Sequence, residues 1–313
     1  MSPTVLCIGG ATVDRTYRLA GPLLAGTSNP AGSSVGFGGV ARNVAENLSR
    51  LGVSAALVTR VGDDEAGRAL LHHLAAAGIA TGGGLAVAGD ATADYVAVLT
   101  PDGELALGLA AMAIFDRLTP EALDRHADRL AAADWVFADC NLPAESIVAL
   151  ARRRWGGAYR LAVDAVSVAK AARLPADLEG LDLLFVNRDE AAAVLARHRR
   201  GTADPSAMAN GLRSLGADAA VVTLGAEGAV AADADGIARV PAEAATVVDV
   251  TGAGDALIAA TLAARAAGET LSRALRRGCA AAARAVATPS ATGTAGPPST
   301  ASGGWQRPGS QKR

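Results

Sequence analysis

Aromatic side chains are scarce in this sequence, because Phe, Trp and Tyr together make up only 3% of it. Platforms on which nucleic-acid bases stack need several such rings. The formal net charge of -2 also gives no broad basic surface for a phosphate backbone. We therefore expect no nucleic-acid partner. Charged residues reach 19% against 50% hydrophobic residues, a balance that favours a large buried core over a disordered chain.

Cysteine is rare too, with three residues that lie far apart: Cys7, Cys140 and Cys279. Their odd number and the lack of any CxxC spacing argue against a disulfide framework or a zinc site and indicate reduced thiols. Charged residues or glycines interrupt every apolar run before it could span a bilayer, and the N-terminus has no basic signal-peptide segment. We therefore expect a cytoplasmic protein with no membrane partner.

Two common signatures of nucleotide enzymes are missing. The chain has neither the GxxxxGK[ST] loop of P-loop NTPases nor the HRD motif of protein kinases. Residues 36–41, GFGGVA, fit the loose dinucleotide pattern GxGxxA, but a Ser, Pro and Gly-rich stretch precedes them instead of a hydrophobic strand. An NAD-dependent oxidoreductase therefore has only this weak pattern in its favour.

Short apolar runs alternate with helical periodicities along most of the chain. This alternation predicts an α/β fold in which helices cover both faces of a mostly parallel sheet. The predicted strands are 5–8, 55–61, 135–138, 160–163, 183–186 and 219–224. The predicted helices include 64–77, 144–154, 189–198, 205–215, 255–267 and 271–287. Outside this rhythm, Asp102-Gly103 predicts the turn of a hairpin within residues 92–110.

Several informative residues directly follow predicted strands. They are Asp14, Asn187, Gly225 and the segment 252–255, the last placed after a short strand at 247–248. Ligands of open α/β sheets bind at the carboxyl ends of the strands. We therefore expect these distant parts of the chain to converge on one edge of the sheet.

The segment 249–255, DVTGAGD, leads directly into an apolar helix. Gly252 and Gly254 allow a tight turn and the close approach of a ligand, and the N–H groups of 252–255 would form an anion site at the helix N-terminus. Asp255 at the same point could accept the proton of an attacking hydroxyl. The segment thus predicts phosphoryl transfer to an alcohol, whereas a plain helix cap would leave the two glycines unexplained.

Four other positions have a structural interpretation beside a functional one. Gly38 and Gly39 allow a ligand to approach, with Asn43 one turn later, but they could also simply open a helix. Asp14 could bind vicinal sugar hydroxyls or form a turn.

The pair Asn187 and Glu190 fits a helix capping box, and it also fits a polar pair that faces Mg²⁺-bound phosphates through water. Residues 223–228, TLGAEG, could form a plain hairpin or contact a nucleotide. The sequence does not decide between these readings.

Together these segments resemble the ribokinase-like (PfkB) family of carbohydrate and nucleoside kinases, in motif order over residues 4–288. Residues 38–52 carry the N-terminal signature and residues 249–255 the C-terminal one, with Val250 where a second Thr or Ser is frequent. The resemblance implies a three-layer αβα fold with a mostly parallel central sheet and a small β lid, from about 10–37 and 92–110. Residues 1–288 would form the kinase domain and 289–313 a disordered tail.

The resemblance also implies a site that uses ATP and Mg²⁺. Asp255 would be the base and Gly252, Ala253 and Gly254 its anion hole. Asp14, Gly38, Gly39 and Asn43 would bind the sugar. Asn187 and Glu190 would support Mg²⁺ through water, and Thr223, Gly225 and Gly228 would contact the nucleotide. Activation by a monovalent cation such as K⁺ is common in the family and would involve Asp249 and Thr251.

Within the family, several local strings resemble the pseudouridine kinases: residues 28–30, 38–48, 163–164 with Ser167 and Lys170, and 186–191. They imply phosphorylation of the 5′-hydroxyl of a nucleoside, pseudouridine in particular. Because dimers through the lid occur in the family, the resemblance also allows a homodimer of this kind. Ribokinase, adenosine kinase and fructokinase-like activities stay open. So does a catalytically silent nucleoside sensor, against which the intact Asp255, Asn187 and Glu190 argue.

Overall fold

The computed structural model describes residues 4–82, 85–153, 155–156 and 158–288. The predicted tail at 289–313 lies outside the described residues. Within the described ranges, no helix combines the length and the apolar character that a bilayer crossing requires.

Within the described residues, the strands form two main sheets and one short parallel pair. Numbered in chain order, the strands are β1 (Thr4–Ile8), β2 (Thr12–Leu19), β3 (Ala31–Gly38), β4 (Ser54–Val58), β5 (Val61–Gly62), β6 (Ala80–Thr81), β7 (Ala86–Val87), β8 (Asp94–Leu99), β9 (Leu105–Ala111), β10 (Trp135–Asp139), β11 (Arg160–Asp164), β12 (Leu183–Asn187), β13 (Ala220–Thr223), β14 (Ala229–Asp233) and β15 (Gly236–Val240). The central sheet has the order β15-β14-β13-β12-β11-β10-β1-β4-β6. Its pairs are parallel except β13 with β14 and β14 with β15, so the predicted mostly parallel sheet is confirmed.

Helices cover both faces of this sheet, which confirms the three-layer fold. They are α1 (Val40–Arg50), α2 (Glu65–Ala76), α3 (Pro120–Leu123), α4 (Ala127–Ala132), α5 (Ala144–Ala151), α6 (Arg188–Arg197), α7 (Pro205–Arg213), α8 (Ala253–Ala266) and α9 (Leu271–Val286). One hydrophobic core contains side chains of α1, α2, α8 and α9, and the other contains side chains of α3 to α7.

The alternation of side chains along each strand separates the two cores. In β1, Val5 and Cys7 face the layer of α1 and α8, while Leu6 and Ile8 face the opposite layer. Successive residues of a strand point to opposite faces, so a strand buried on both sides is apolar throughout. This is why β1 is a continuous apolar run in the sequence and why it lies in the middle of the sheet.

A second sheet of four strands, called here the small sheet, has the order β3-β2-β8-β9. The pairs β2–β3 and β8–β9 are antiparallel, while β2 and β8 run parallel. The hairpin expected within 92–110 is present as β8 and β9. The Ser, Pro and Gly-rich stretch before residues 36–41 is in part a strand, because β3 is largely exposed and needs no apolar run.

One predicted strand is wrong. Residues 241–250 are irregular, and Val247 and Val248 are exposed. Their β-branched side chains suggested a strand. The backbone N–H groups of Val248 and Asp249 donate instead to the carbonyl oxygen of Val286, at 2.7 and 3.2 Å, so α9 anchors this loop. The segment 252–255 is therefore reached from a loop and not from the end of a strand.

Candidate active site

The N-terminus of α8 is open to a ligand. Gly252 precedes the helix with a φ of 76°, a left-handed conformation that favours glycine. A Cβ built on Gly254 would meet no atom within 4 Å, so packing inside the protein does not require glycine there. Among the described residues, none accepts a backbone hydrogen bond from Gly254 or Asp255, whereas the Ala253 N–H points to the Val250 carbonyl at 3.3 Å. The free N–H groups suit an anion.

Asp255 lies in the first turn of α8 and meets α1 from the other signature segment. The Asn43 side-chain Nδ2 donates to Asp255 Oδ2 at 2.6 Å, between residues 212 positions apart in the chain. This contact joins the two segments that the sequence singled out. It also fixes the carboxylate beside the open helix N-terminus.

The pKa of Asp255 is raised from 3.8 to about 7. Burial is the largest cause, and the negative charges of Asp139 and Asp14 add to it, while the Asn43 hydrogen bond and the Arg42 charge act in the opposite direction. The dipole at a helix N-terminus favours the ionised form of a carboxyl, but removal from water outweighs it at Asp255. A carboxylate with a pKa near neutrality is well matched to general-base chemistry.

Asp14 was expected directly after β1, but it lies inside β2, in the small sheet. The Thr12 hydroxyl donates to Asp14 Oδ1 at 2.6 Å, and the carboxylate occupies the space that a Cβ at Gly38 would need. Burial raises the pKa of Asp14, although the Thr12 hydrogen bond and the Arg42 charge oppose it. The close approach of the carboxylate explains why Gly38 is a glycine.

Gly39 has a clear structural role. Its φ is 94°, and a Cβ there would clash with the backbone of Gly10 and Ala11. The Gly10 carbonyl accepts the N–H of Arg42 at 3.1 Å, which docks the start of α1 on the loop after β1. A sugar contact by Gly39 stays a prediction.

Asp139, the last residue of β10, was not singled out from the sequence. Its fully buried carboxylate accepts backbone N–H groups from Gly10, Ala41 and Asn141, each at 2.9 Å. It thereby holds together the ends of two strands and the first turn of α1. The available signal was the one used for Asn187, a polar residue at the carboxyl end of a predicted strand.

Asp164, at the end of β11, was also missed as a site residue. It accepts the Val166 N–H at 3.0 Å. Burial raises its pKa well above the usual range, and the nearby charges of Glu190, Asp255 and Asp139 raise it further. The carboxyl ends of β10, β11 and β12 thus bring several carboxylates close to the N-terminus of α8, where a cation would relieve their repulsion.

Asn187 and Glu190 form the complete capping box at the start of α6. Asn187 Oδ1 accepts the Glu190 N–H at 2.9 Å, and Glu190 Oε2 accepts the Asn187 N–H at 2.8 Å. Asn187 Nδ2 also donates to Glu190 Oε1 at 2.7 Å, so both carboxylate oxygens are already engaged. Buried Glu190 therefore suits contact with Mg²⁺ through water better than direct ligation. Over the described ranges, no group of three His, Cys, Asp or Glu residues is arranged to hold a metal ion.

Two cavities flank the N-terminus of α8. The first, of about 400 Å³, has small and apolar walls; they include Thr223, Gly225, Gly228, Gly254, Ala283 and Val286. The second, of about 560 Å³, is the more polar of the two and is called here the polar cavity; its walls include Asp14, Phe37, Arg42, Asn43, Thr251 and Gly252. The N-terminus of α8, which carries Asp255, thus lies between an apolar cavity and a more polar one.

The turn after β13 contributes to the apolar cavity. Gly225 has a φ of 59° and open space around it, as a close ligand contact would need. Gly228 has a different explanation, because its Cβ would clash with the Val240 carbonyl across the strands. On the loop before α8, the Thr251 N–H donates to Asp249 Oδ1 at 2.8 Å.

The dinucleotide pattern at residues 36–41 does not lie in a dinucleotide-binding unit. Its first residues end β3, which pairs antiparallel with β2 in the small sheet. A dinucleotide fingerprint requires a parallel βαβ unit. The oxidoreductase alternative therefore loses its one supporting pattern.

Comparison with known proteins agrees with this geometry. The family model described as "pfkB family carbohydrate kinase" matches residues 2–296. The pseudouridine kinase of Escherichia coli (strain K12) is 31% identical over 256 residues, which are 82% of this chain and 81% of that protein. The solved structure of a carbohydrate kinase from Agrobacterium tumefaciens is 35% identical with a TM-score of 0.80, covering 93% of this chain and 92% of its own.

The fold extends to more distant structures. A ribokinase from Thermotoga maritima superimposes with a TM-score of 0.81 at 21% identity, covering 92% of this chain and 94% of its own. At that identity the likeness concerns the fold alone. The family match and the relatives above 30% identity carry the assignment: the chain belongs to the pfkB family of carbohydrate kinases, phosphotransferases whose acceptor is an alcohol group.

Proposed function

We propose that this protein transfers the γ-phosphoryl group of ATP to the 5′-hydroxyl of a nucleoside, pseudouridine above all. The observation that carries the proposal is the Asn43–Asp255 hydrogen bond, which holds a carboxylate of raised pKa at the N-terminus of α8, the helix end that the two cavities flank. The apolar cavity is suited to the adenosine of the donor and the polar cavity to the acceptor sugar.

The chain's own residues would divide the reaction among them. Asp14 binds vicinal hydroxyls of the acceptor, and Asp255 takes the proton from the attacking hydroxyl. The N–H groups of Gly252, Ala253 and Gly254 receive the negative oxygens of the γ-phosphoryl group, with the Ala253 N–H shared between the phosphate and the Val250 carbonyl at 3.3 Å. The helix dipole also favours negative charge there. Closure of the small sheet over the acceptor excludes water, which limits hydrolysis of ATP.

The carboxylates at the ends of β10 to β12 fit a divalent cation. Mg²⁺ would neutralise charge on the donor phosphates during transfer. Asn187 and Glu190 would orient its water ligands, and Asp164 would add to the negative field around them. Thr223, Gly225 and Gly228 line the nucleotide side, while Asp249 and Thr251 are the candidates to bind K⁺.

The substrate choice rests on the relative from Escherichia coli and on the local strings shared with pseudouridine kinases. The test is ADP release with Mg·ATP and six acceptors: pseudouridine, uridine, adenosine, cytidine, ribose and fructose. We expect pseudouridine to have by far the highest kcat/KM. A preference for ribose or another nucleoside would replace the substrate but keep the mechanism. No turnover with any acceptor, in a protein that still binds ATP, would favour the sensor.

The pH profile provides a further prediction. Only ionised Asp255 can accept a proton, and its pKa is about 7. Lowering the pH through this value should therefore reduce kcat/KM about tenfold per pH unit, with a plateau above it. Initial rates between about pH 5 and about pH 9 would locate this falling part of the profile, called here the acid limb. A rate that stays constant down to about pH 5 would remove Asp255 as the base.

We also propose a homodimer through the outer face of the small sheet. Leu105, Leu107 and Leu109 are 46–57% exposed on β9, and Leu107 pairs with Val98, which pairs with Tyr17. A contiguous apolar face of this kind marks an interaction surface. The alternation of side chains along β2 places this face opposite that of Asp14.

The dimer can be tested by a single charge on that face. Leu107→Glu should convert the dimer to a monomer in light scattering, because it would bury two carboxylates across a symmetric interface. Ile237→Glu is the matched control, since Ile237 is similarly exposed on β15 at the far edge of the central sheet. A monomeric unmodified protein, or a dimer that survives Leu107→Glu, would contradict this interface.

A further inference from the structure

Arg42 is a buried cation with an unusual set of acceptors. It is 6% exposed on the inner face of α1. Its Nε donates to the Gly38 carbonyl at 2.9 Å, and its Nη2 donates to the Phe37 carbonyl at 2.5 Å. Nη1 donates to Glu46 at 2.5 Å. The planar guanidinium thus spans the end of β3 and one turn of α1, which a lysine could not do with one ammonium group.

The same guanidinium fixes the orientation of Asn43. Arg42 Nη2 also donates to Asn43 Oδ1, so the amide oxygen faces Arg42 and Nδ2 faces Asp255. If the amide turned over, its oxygen would face the ionised carboxylate, and both contacts would become repulsive. Arg42 therefore acts on Asp255 through the side chain between them.

A third layer of contacts holds Arg42. Glu46 is also buried, and His73 Nε2 from α2 lies 2.8 Å from its Oε1. Burial would raise the pKa of Glu46, but the Arg42 charge and the hydrogen bonds from His73 and Arg42 outweigh it and keep the pKa below its usual value. The His73 ring packs against Phe37 with 4.7 Å between centroids. The network thus connects α2 and the small sheet to α1.

We propose that Arg42, held by Glu46, is a positioning residue that presents the Asn43 amide to Asp255 and so sets the reactivity of that carboxylate. The inference deepens the proposed function and rests on Asp255 as its base. Besides Arg42, the charged groups that face Asp255 are Asp14 on β2, Asp139 on β10 and Asp164 on β11. Arg42 is the one cation in this set, so its loss leaves Asp255 among carboxylates only.

The test begins with the double variant Arg42→Gln/Glu46→Gln. Replacing both partners avoids leaving one buried charge without its counterion, which would by itself destabilise the fold. We expect kcat at pH 7 to fall by about 10- to 100-fold, since a misplaced catalytic group costs rates of this order. The acid limb of kcat/KM should move to higher pH, because the cation that lowers the pKa of Asp255 is gone. The KM for ATP should stay within about twofold, because Arg42 lies on the acceptor side.

Two single variants separate positioning from folding. Arg42→Lys retains the charge without the planar fork, so the acid limb should stay near its original pH while kcat remains low. Arg68→Gln is the matched control, because Arg68 on α2 is an exposed arginine whose partner at 3.2 Å is the exposed Asp63, away from Glu46 and Asn43. It should behave like the unmodified protein. If thermal melting shows that the double variant does not fold, the kcat of Arg42→Lys tests the inference, with a low value supporting it and a normal value overturning it.

The outcomes distinguish this inference from the proposed function. In the double variant, which lacks the Arg42 charge, an equal loss of rate at every pH with an unmoved acid limb would indicate a structural role only and overturn the positioning role. Normal kinetics in both Arg42 variants would do the same, even where Asp255→Asn is inactive. Full activity in Asp255→Asn would overturn the proposed base and this inference with it.

Discussion

Asp255→Asn should retain both ligands and lose about 10²- to 10⁴-fold in turnover, the size expected for loss of a general base. The amide has nearly the same shape as the carboxylate but accepts no proton at neutral pH. It can still contact Asn43, because an amide oxygen accepts the hydrogen bond that the carboxylate accepts at 2.6 Å. Binding of Mg·ATP and acceptor by calorimetry, together with single-turnover rates, would separate chemistry from binding.

A matched control for this variant is available elsewhere in the chain. Asp128→Asn makes the same substitution in the first turn of α4, where the side chain is exposed. It removes the same charge from the protein and should leave turnover unchanged. Turnover of Asp255→Asn within about threefold of the Asp128→Asn variant would show that another group takes the proton.

Asp139→Ala should lower the free energy of unfolding by roughly 3 kcal/mol or more. Three buried backbone N–H groups, those of Gly10, Ala41 and Asn141, would lose their acceptor, and each buried donor without a partner costs about 1–3 kcal/mol. The free energy of unfolding of a typical domain is only about 5–15 kcal/mol in total. Urea unfolding followed by circular dichroism would measure the loss.

Asp139→Asn is the informative companion. Its amide keeps the volume and one oxygen acceptor, so it should recover a large part of the stability lost in the Ala variant. A loss below about 1 kcal/mol in Asp139→Ala would mean that water or a shifted backbone satisfies the three donors. Asp139→Ala should also slow catalysis, because the N–H of Ala41 belongs to the turn that carries Asn43.

Much of the fold could be predicted because its signals are local. A buried parallel strand is a continuous apolar run, and the runs at 135–138 and 183–186 each lie within one strand of the central sheet. Helix starts could be predicted from the sequence equally well, because the members of a capping pair such as Asn187 and Glu190 are only three positions apart. The strand at 247–248 was wrong because a strand also needs a neighbour, which local composition does not reveal.

The candidate site was only partly predictable for the same reason. Asp255 and Asn43 stand in glycine-rich helix starts that are visible in the sequence, although their contact spans 212 positions. Arg42 looked like an ordinary residue of a helix, because its importance comes from two carbonyl groups of β3 and from His73 on another helix. Asp139 is connected to Ala41 across 98 positions. Such partners are brought together by the sheet topology alone.

The anchoring of the 241–250 loop on α9 has a practical consequence for shortened versions of the protein. The Val286 carbonyl that receives Val248 and Asp249 belongs to the last residue of α9, and Thr288 still folds back on this end through its N–H to Ala285. A chain cut before Val286 would release the segment that leads into α8. Shortened versions of the protein should therefore keep the chain through Thr288, and cleavable C-terminal tags should be attached after it. This holds even though Asp255 is more than thirty positions earlier in the chain.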